Sequence, residues 1–237
     1  MCSAVQLTTS HVADAFTLSS LAGWNQTLED WQMLLRLSDA CYGIELDGQL
    51  VATATLVCYG QTLAWLGMVL THPDFRRRGF ARTLVDHALR HAKSLEIETV
   101  GLDATPDGQP LYETFGFHPI ERVERWERQP HSGSSNSLPS DVSHDGYVLE
   151  RPGRLRRYLG PCVANSPATA RALIETTVTR KPDNGWFWDL LPANHDAVSI
   201  ATDLGFKRAR TLTRMSWGRE LPTNNQRIFA IAGLELG

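Results

Sequence analysis

Three consecutive arginines, Arg76 to Arg78, run directly into Gly79-Phe80-Ala81 within the stretch HPDFRRRGFARTL, His72 to Leu84. Arginine and glycine at this spacing do anion chemistry if a strand ends before them and a helix begins among them. A strand ending at Leu70 or Thr71, broken at Pro73 and followed by a helix from about Gly79, points several unpaired backbone N–H groups in one direction. The positive end of the helix lies behind them. Gly79 lets a ligand approach the main chain, the small Ala81 does the same further in, and the guanidinium groups add charge around phosphate oxygens. A pyrophosphate fits such a turn better than duplex DNA does. Arginines at a helix start often face water, so the glycine is more informative than the three charges.

The flanking pattern supplies the elements that this turn needs. Val12 to Leu21 and Thr27 to Leu37 read as two short helices, the second with Leu28, Trp31, Leu34 and Leu35 on one face. A hairpin signal at Leu46-Asp47-Gly48, then Val51 to Val57 and Leu63 to Leu70, predict an antiparallel meander of three strands. From Phe80 to Ala92 apolar residues recur at helical spacing. IETVGLDAT reads as a strand, PDGQPLYETF as a turn and short helix closed by Gly116, and FHPIERVERWE as another strand.

Residues 129–145, rich in Ser, Pro, Gly, Asn and His, read as a linker or exposed loop. Beyond them YVLERP and GPCVA read as strands, SPATARALIETTVT as a helix, GWFWDLL as an aromatic strand, and NHDAVSIATDLGF as a further helix. LDATPDGQPLYETFGFHPIERV and WDLLPANHDAVSIATDLGFKRARTL both run strand, Pro-containing turn, short helix, Gly-Phe, strand. The expected organisation is a first unit over 1–128, the linker, and a second, duplicated unit over 146–237.

Composition limits the functions such a chain can serve. With 237 residues, 42% of them hydrophobic, a net charge of −3 and a pI near 6.2, it is a globular protein whose surface as a whole is not built to neutralise nucleic acid. Of 23 basic residues only Lys93, Lys181 and Lys207 are lysine. The four cysteines form no Cys-x-x-Cys pair, so no zinc site or redox dithiol is expected, and reduced thiols fit a cytoplasmic setting. The N-terminal residues lack a signal-peptide pattern, and LAWLGMVL is far too short to span a bilayer. The expectation is a soluble cytoplasmic protein with no metal, no nucleic-acid partner and no membrane.

VLTHPDFRRRGFARTLVDHAL resembles the signature of the GNAT superfamily of N-acetyltransferases, whose coenzyme-binding turn reads Arg/Gln-x-x-Gly-x-Gly/Ala after a strand; Arg76, Gly79 and Ala81 occupy its fixed positions. LYETFGF, Leu111 to Phe117, reproduces the family's second signature at the family's distance downstream. The resemblance covers roughly residues 5 to 128. It implies an α/β fold with a mixed sheet and, given the internal repeat, two tandem GNAT-like units. It further implies that backbone amides from about Arg77 to Arg82, through Arg78, Gly79, Phe80 and Ala81, hold the pyrophosphate of acetyl-CoA. Leu70 and Thr71 would pair their main chain with the pantetheine arm, and VGLDA would form the opposite wall of the slot. Tyr112 matches the position whose phenol protonates the leaving thiolate; packing alone would be its other reading.

No carboxylate stands on LAWLGMVL, where many relatives carry the base, which leaves Asp103, His72, Glu29 or a water chain as candidates and none assigned. Trp24 and Asn25 lie where the family places the acceptor wall. Trp31 reads rather as core. In the second unit Ala201 stands where Tyr112 does in the first, and no glycine turn precedes the helix, so that unit is expected not to bind coenzyme in the usual way. Trp186, Trp188 and Asp189 could reach the acceptor site or simply be core. The resulting expectation is an acetyl-CoA-dependent N-acetyltransferase acting on a small-molecule or peptide amine by direct attack in a ternary complex, with homodimerisation left open. The alternative is a non-catalytic acetyl-CoA-binding regulator or scaffold.

Overall fold

The computed structural model describes residues 4–38, 40–130, 142–143, 145–219 and 225–237. In chain order its first half runs β1 (Val5–Gln6), α1 (Val12–Leu21), α2 (Leu28–Leu37), β2 (Cys41–Leu46), β3 (Gln49–Tyr59), β4 (Leu63–Thr71), α3 (Phe80–Ser94), β5 (Thr99–Ala104), α4 (Gln109–Glu113) and β6 (His118–Arg128). The second half runs β7 (Val142–Ser143), β8 (Gly146–Arg151), β9 (Arg157–Ala164), α5 (Pro167–Thr179), β10 (Trp186–Leu190), α6 (His195–Asp203), β11 (Lys207–Gly218) and β12 (Ile228–Ala230). Most of the linker expected over 129–145 lies outside the described residues.

Local chemistry accounts for the elements that frame the site. Thr27 caps α2: its hydroxyl accepts from Asp30 N at 3.2 Å, and the Asp30 carboxylate accepts from Thr27 N at 2.8 Å. Trp31 and Leu34 on the inner face of that helix are fully buried. The β2–β3 hairpin turns through Asp47 and Gly48, both at positive φ, as the Asp-Gly pair demands. α3 lays Leu84, Val85, Ala88, Leu89 and Ala92 onto the meander, which is the 3.6-residue stripe read from the sequence.

All strands join one mixed sheet in the order β1-β2-β3-β4-β5-β11-β6-β10-β9-β8-β7, with β12 paired to β9. The closing strands of the two halves are thus exchanged: β11, from the second half, lies against β5, and β6, from the first, lies against β10. Each exchange carries a buried ion pair between cross-strand partners. Asp103 on β5 takes both of its bonds from Arg214 on β11, at 2.9 Å each. Asp189 on β10 takes its bonds from Arg125 on β6, at 2.7 and 2.6 Å. Removing one member of such a pair would strand a buried charge at a cost of about 3–5 kcal/mol, so the pattern favours this strand order over a slipped one.

Candidate active site

β4 and β5 run parallel and pair only at Leu63–Thr99, Ala64–Val100 and Trp65–Gly101. On its other side β4 stays paired with β3 as far as Thr71, but two residues, Met68 and Val69, stand opposite Ala54. Met68 has φ +48°, and its carbonyl accepts the Thr53 hydroxyl at 2.8 Å. A bulge of this kind bends a strand and strengthens its twist, and here it turns β4 away from β5. At the last paired position the indole of Trp65 occupies the space of a side chain at residue 101, so only glycine fits there. The two strands therefore open into a cleft of about 1090 Å³, walled by Leu66–Thr71 on one side and Leu102–Asp103 on the other.

The arginine-glycine turn closes one end of this cleft. Arg77 and Gly79 have φ +62° and +84°, and the first helical bond runs from Thr83 N to Gly79 O at 2.9 Å. The N–H groups of Phe80, Ala81 and Arg82 thus precede the hydrogen-bond ladder of α3. A Cβ added at Gly79 would meet nothing within 4 Å, so the space above the turn is open. Leu70, Thr71, Arg76, Arg77, Gly79, Phe80, Ala81 and Arg82 all line the cleft. Arg78 does not; its guanidinium stacks over Phe75, 5.0 Å from the ring centre. Arg82 bonds the Thr114 hydroxyl at 3.1 Å and covers the Phe115 ring, tying α3 to the end of α4.

Tyr112 lines the same cleft from α4, its ring edge-to-face on Phe117. Burial pushes its phenol above the ordinary tyrosine value, so it is protonated at neutral pH. Of the three candidate bases, Asp103 lines the cleft with both oxygens held by Arg214; burial pushes its carboxyl up against that pull. His72 accepts from Asp74 N and packs on Phe75, away from the cleft. Glu29 is exposed on α2 and also outside it.

At the opposite end the wall comes from both halves. Trp24 and Gln26 enter from the α1–α2 turn, Arg125 from β6, Arg210 and Leu212 from β11, and Leu234 and Glu235 from the C-terminal tail. The tail is held across β4 by Trp65 Nε1 on Leu234 O (3.0 Å) and the Tyr59 hydroxyl on Leu236 O (2.7 Å). A Cβ at Gly67 would come within 2.9 Å of Glu235 O, so glycine is required where the tail crosses. Glu235 is buried, accepts from Gln26 Nε2 at 3.0 Å and pairs with Arg151, which also holds Asp30. Burial pushes its carboxyl up, opposed by Arg151.

Asn25 is not brought to the cleft. Its Oδ1 accepts from Leu155 N and Arg156 N and its Nδ2 donates to Arg156 O, clamping the loop before β9. Gly153 is kept small because a Cβ there would strike the Asn25 amide. Trp31 is core, as expected, with its indole N–H on the Ser19 hydroxyl. Gln26, Arg125, Arg210 and Glu235 belong to no sequence motif; the exchanged strands and the folded-back tail bring the last three to the α1–α2 turn that carries Gln26.

The second half repeats this plan and closes it. β9 and β10 are parallel and pair at Arg157–Trp186, Tyr158–Phe187 and Leu159–Trp188. Beyond that point β12 fills the space: Ile228 and Ala230 pair with β9, and the backbone of Phe229 and Ile231 bonds Trp188 Nε1 and Asp189 O. α5 begins with Pro167, and its Ser166 cap accepts from Thr169 N. Ala201 is fully buried in the place equivalent to Tyr112, and Trp186, Trp188 and Asp189 are core.

An acetyltransferase (GNAT) family model matches residues 7–117, and an acetyltransferase (GNAT) domain model matches residues 113–230. A Bacillus subtilis (strain 168) protein, the uncharacterized N-acetyltransferase YitH, is 28% identical over 140 residues, which are 59% of this chain and 49% of that protein. This chain thus spans about half the length of that relative. Among solved structures, a Pyrococcus horikoshii protein assigned as an acetyltransferase superposes with a TM-score of 0.82 at 17% identity, covering 99% of this chain and 95% of that one. A tandem GNAT protein from the clavulanic acid biosynthesis pathway gives 0.69 at 15% identity over 94% and 100% of the two chains. At these identities the structural likeness establishes the fold.

Proposed function

Since the chain belongs to the GNAT family of acetyltransferases and is an acyltransferase with two such domains in tandem, we propose that it transfers the acetyl group of acetyl-CoA to a primary amine in the first-half cleft. The observation that carries this reading is the β4–β5 opening, with the Gly79 turn at one end and the Tyr112 phenol in its wall. The family uses acetyl-CoA, and the cleft fits it chemically. The first-turn amides of α3 suit a pyrophosphate. Beyond Trp65 the edge of β4 that faces β5 has no strand partner among the described residues and suits the amides of a pantetheine arm.

The thioester supplies the acyl group. The amine nitrogen bonds to the acyl carbon, the carbon–sulfur bond breaks, and the Tyr112 hydroxyl gives its proton to the departing sulfur. We assign Glu235 to accept the proton of the amine. It crosses β4 at Gly67, on the strand that itself carries no carboxylate, and its raised pKa suits a base.

Incubation with acetyl-CoA and a panel of primary amines, read by mass spectrometry with Tyr112→Phe as control, tests the reading. Acetylated amine formed by the native chain, and slowed in the variant, is the expected result. Acetyl-CoA binding without turnover of any amine would overturn catalysis and leave a coenzyme-binding regulator.

A further inference from the structure

Among the described residues, two cleft-lining side chains hold a buried polar atom with no hydrogen-bond partner. Arg210 has its Nε unsatisfied, and Gln26 its Oε1. A buried donor or acceptor left unpaired is costly, so both orphans call for a ligand or water. They are opposite in kind: one is a cationic donor, the other a neutral acceptor.

Arg210 is aimed into the cleft by a specific device. Strand alternation would put Arg208 and Arg210 on the same face of β11. The register shifts between them, however, so that Arg208 pairs with Trp126 and Arg210 with Arg125. The extra residue, Ala209, sends the two arginines to opposite faces. Arg208 bonds Glu124 on one face, at 3.0 Å, and Arg210 joins Arg125 and Leu212 in the cleft on the other. Bulges that re-aim a side chain are a recurrent feature of functional sites.

The charge around Arg210 is also unbalanced. Its cross-strand partner is another arginine, a destabilising arrangement in itself. The nearby carboxylate, Asp189, is held through both oxygens by Arg125. Burial, with repulsion from Arg125, pushes the Arg210 guanidinium down to about 10, which still leaves it charged at neutral pH. At the Gln26 end the sign reverses. Asp30 and Glu235 share Arg151, and Gln26 Nε2 is already committed to Glu235, so Oε1 is the amide atom left for a donor beside these two carboxylates.

We propose that the acceptor is an amine that also carries a carboxylate, with the carboxylate held by the fork of Arg210 and the amine nitrogen received by Gln26 Oε1 beside Glu235. This rests on the acetyltransferase reading and narrows its acceptor. A planar guanidinium meets a carboxylate through two parallel N–H bonds, and Nε is one of the two donors on that edge.

The test uses matched amine pairs that differ only in the carboxylate, with saturating acetyl-CoA: L-lysine and cadaverine, L-phenylalanine and phenethylamine, 4-aminobutyrate and propylamine. The carboxylate-bearing member of at least one pair is expected to have a kcat/KM higher by about 10- to 100-fold, the range for a charged hydrogen-bonded contact. In Arg210→Gln that preference should vanish, mainly through KM for the acid, while acetyl-CoA affinity stays at the native value and the melting temperature does not fall. Arg210→Lys, which keeps the charge without the fork, should retain part of it. Equal or better use of the carboxylate-free members, or an unchanged ratio in Arg210→Gln, would overturn the proposal while leaving acetyl transfer standing. Absence of turnover with every amine would overturn the acetyltransferase reading and this inference with it.

Discussion

The two halves contain the same opening between parallel strands, used in opposite ways. In the first, β4 and β5 pair over three positions and then diverge around the 1090 Å³ cleft. In the second, β9 and β10 pair over three positions and then diverge around β12, whose Phe229 is buried to 1% exposure. The helix starts differ in the same sense. α3 opens at a glycine with no side-chain cap, whereas α5 opens with Pro167, which lacks an N–H, and with Ser166 satisfying another donor. In the second half the chain thus fills the slot and caps the helix itself, so in our proposal the coenzyme site belongs to the first half. The second half also lends β11, Arg210 and the tail to the wall of the first-half cleft, at the end we propose for the acceptor.

The largest effect expected from breaking this contrast is at the open turn. Gly79→Glu brings a carboxylate to a position at φ +84°, with open space above it, and should weaken acetyl-CoA binding by about 1000-fold or more through charge repulsion and blocked approach. Calorimetry should show that loss with the fold, judged by circular dichroism, intact. Phe229→Ala removes the plug of the closed slot and should cost about 3 kcal/mol of stability, within the range for buried phenylalanine. Denaturant unfolding measures it, and a coenzyme site appearing in the second half of this variant would contradict the self-capped helix start.

Tyr112→Phe removes the proton donor but not the ring, and should lower kcat about 100-fold with little change in acetyl-CoA affinity. Steady-state kinetics separates the two quantities. The smallest effect concerns a salt bridge of the second half. Burial tends to raise the Glu150 carboxyl, but Lys181 and Arg157 outweigh that and hold it below the ordinary value. Its contribution to stability, about 1 kcal/mol, is present above the unfolded carboxyl pKa and lost as pH falls through the lower folded one. The stability gap between the native chain and Glu150→Gln should therefore be constant near neutrality and close only in acid.

Much of this was legible in the residues. The stripe of α3, the Asp-Gly hairpin and the meander follow from spacing and turn chemistry, and the Gly79 and Tyr112 motifs fall on one cleft as their order in the chain suggested. What was hidden depends on contacts between distant segments. β6 and β11 have similar patterns, so nothing local indicates that they change places; the Arg125–Asp189 and Arg214–Asp103 pairs that fix the exchange span 64 and 111 positions. A period of two puts Arg208 and Arg210 on one face, and only the pairing with β6 reveals the bulge. Asn25, in a polar turn, could serve a ligand or the protein; the irregular loop at 153–156 needed partners for its backbone and took it.

The central claim is that the first slot alone receives the coenzyme. Isothermal titration of the native chain with acetyl-CoA tests it most directly: one equivalent bound per chain is the predicted result, and two equivalents, or none, would contradict it.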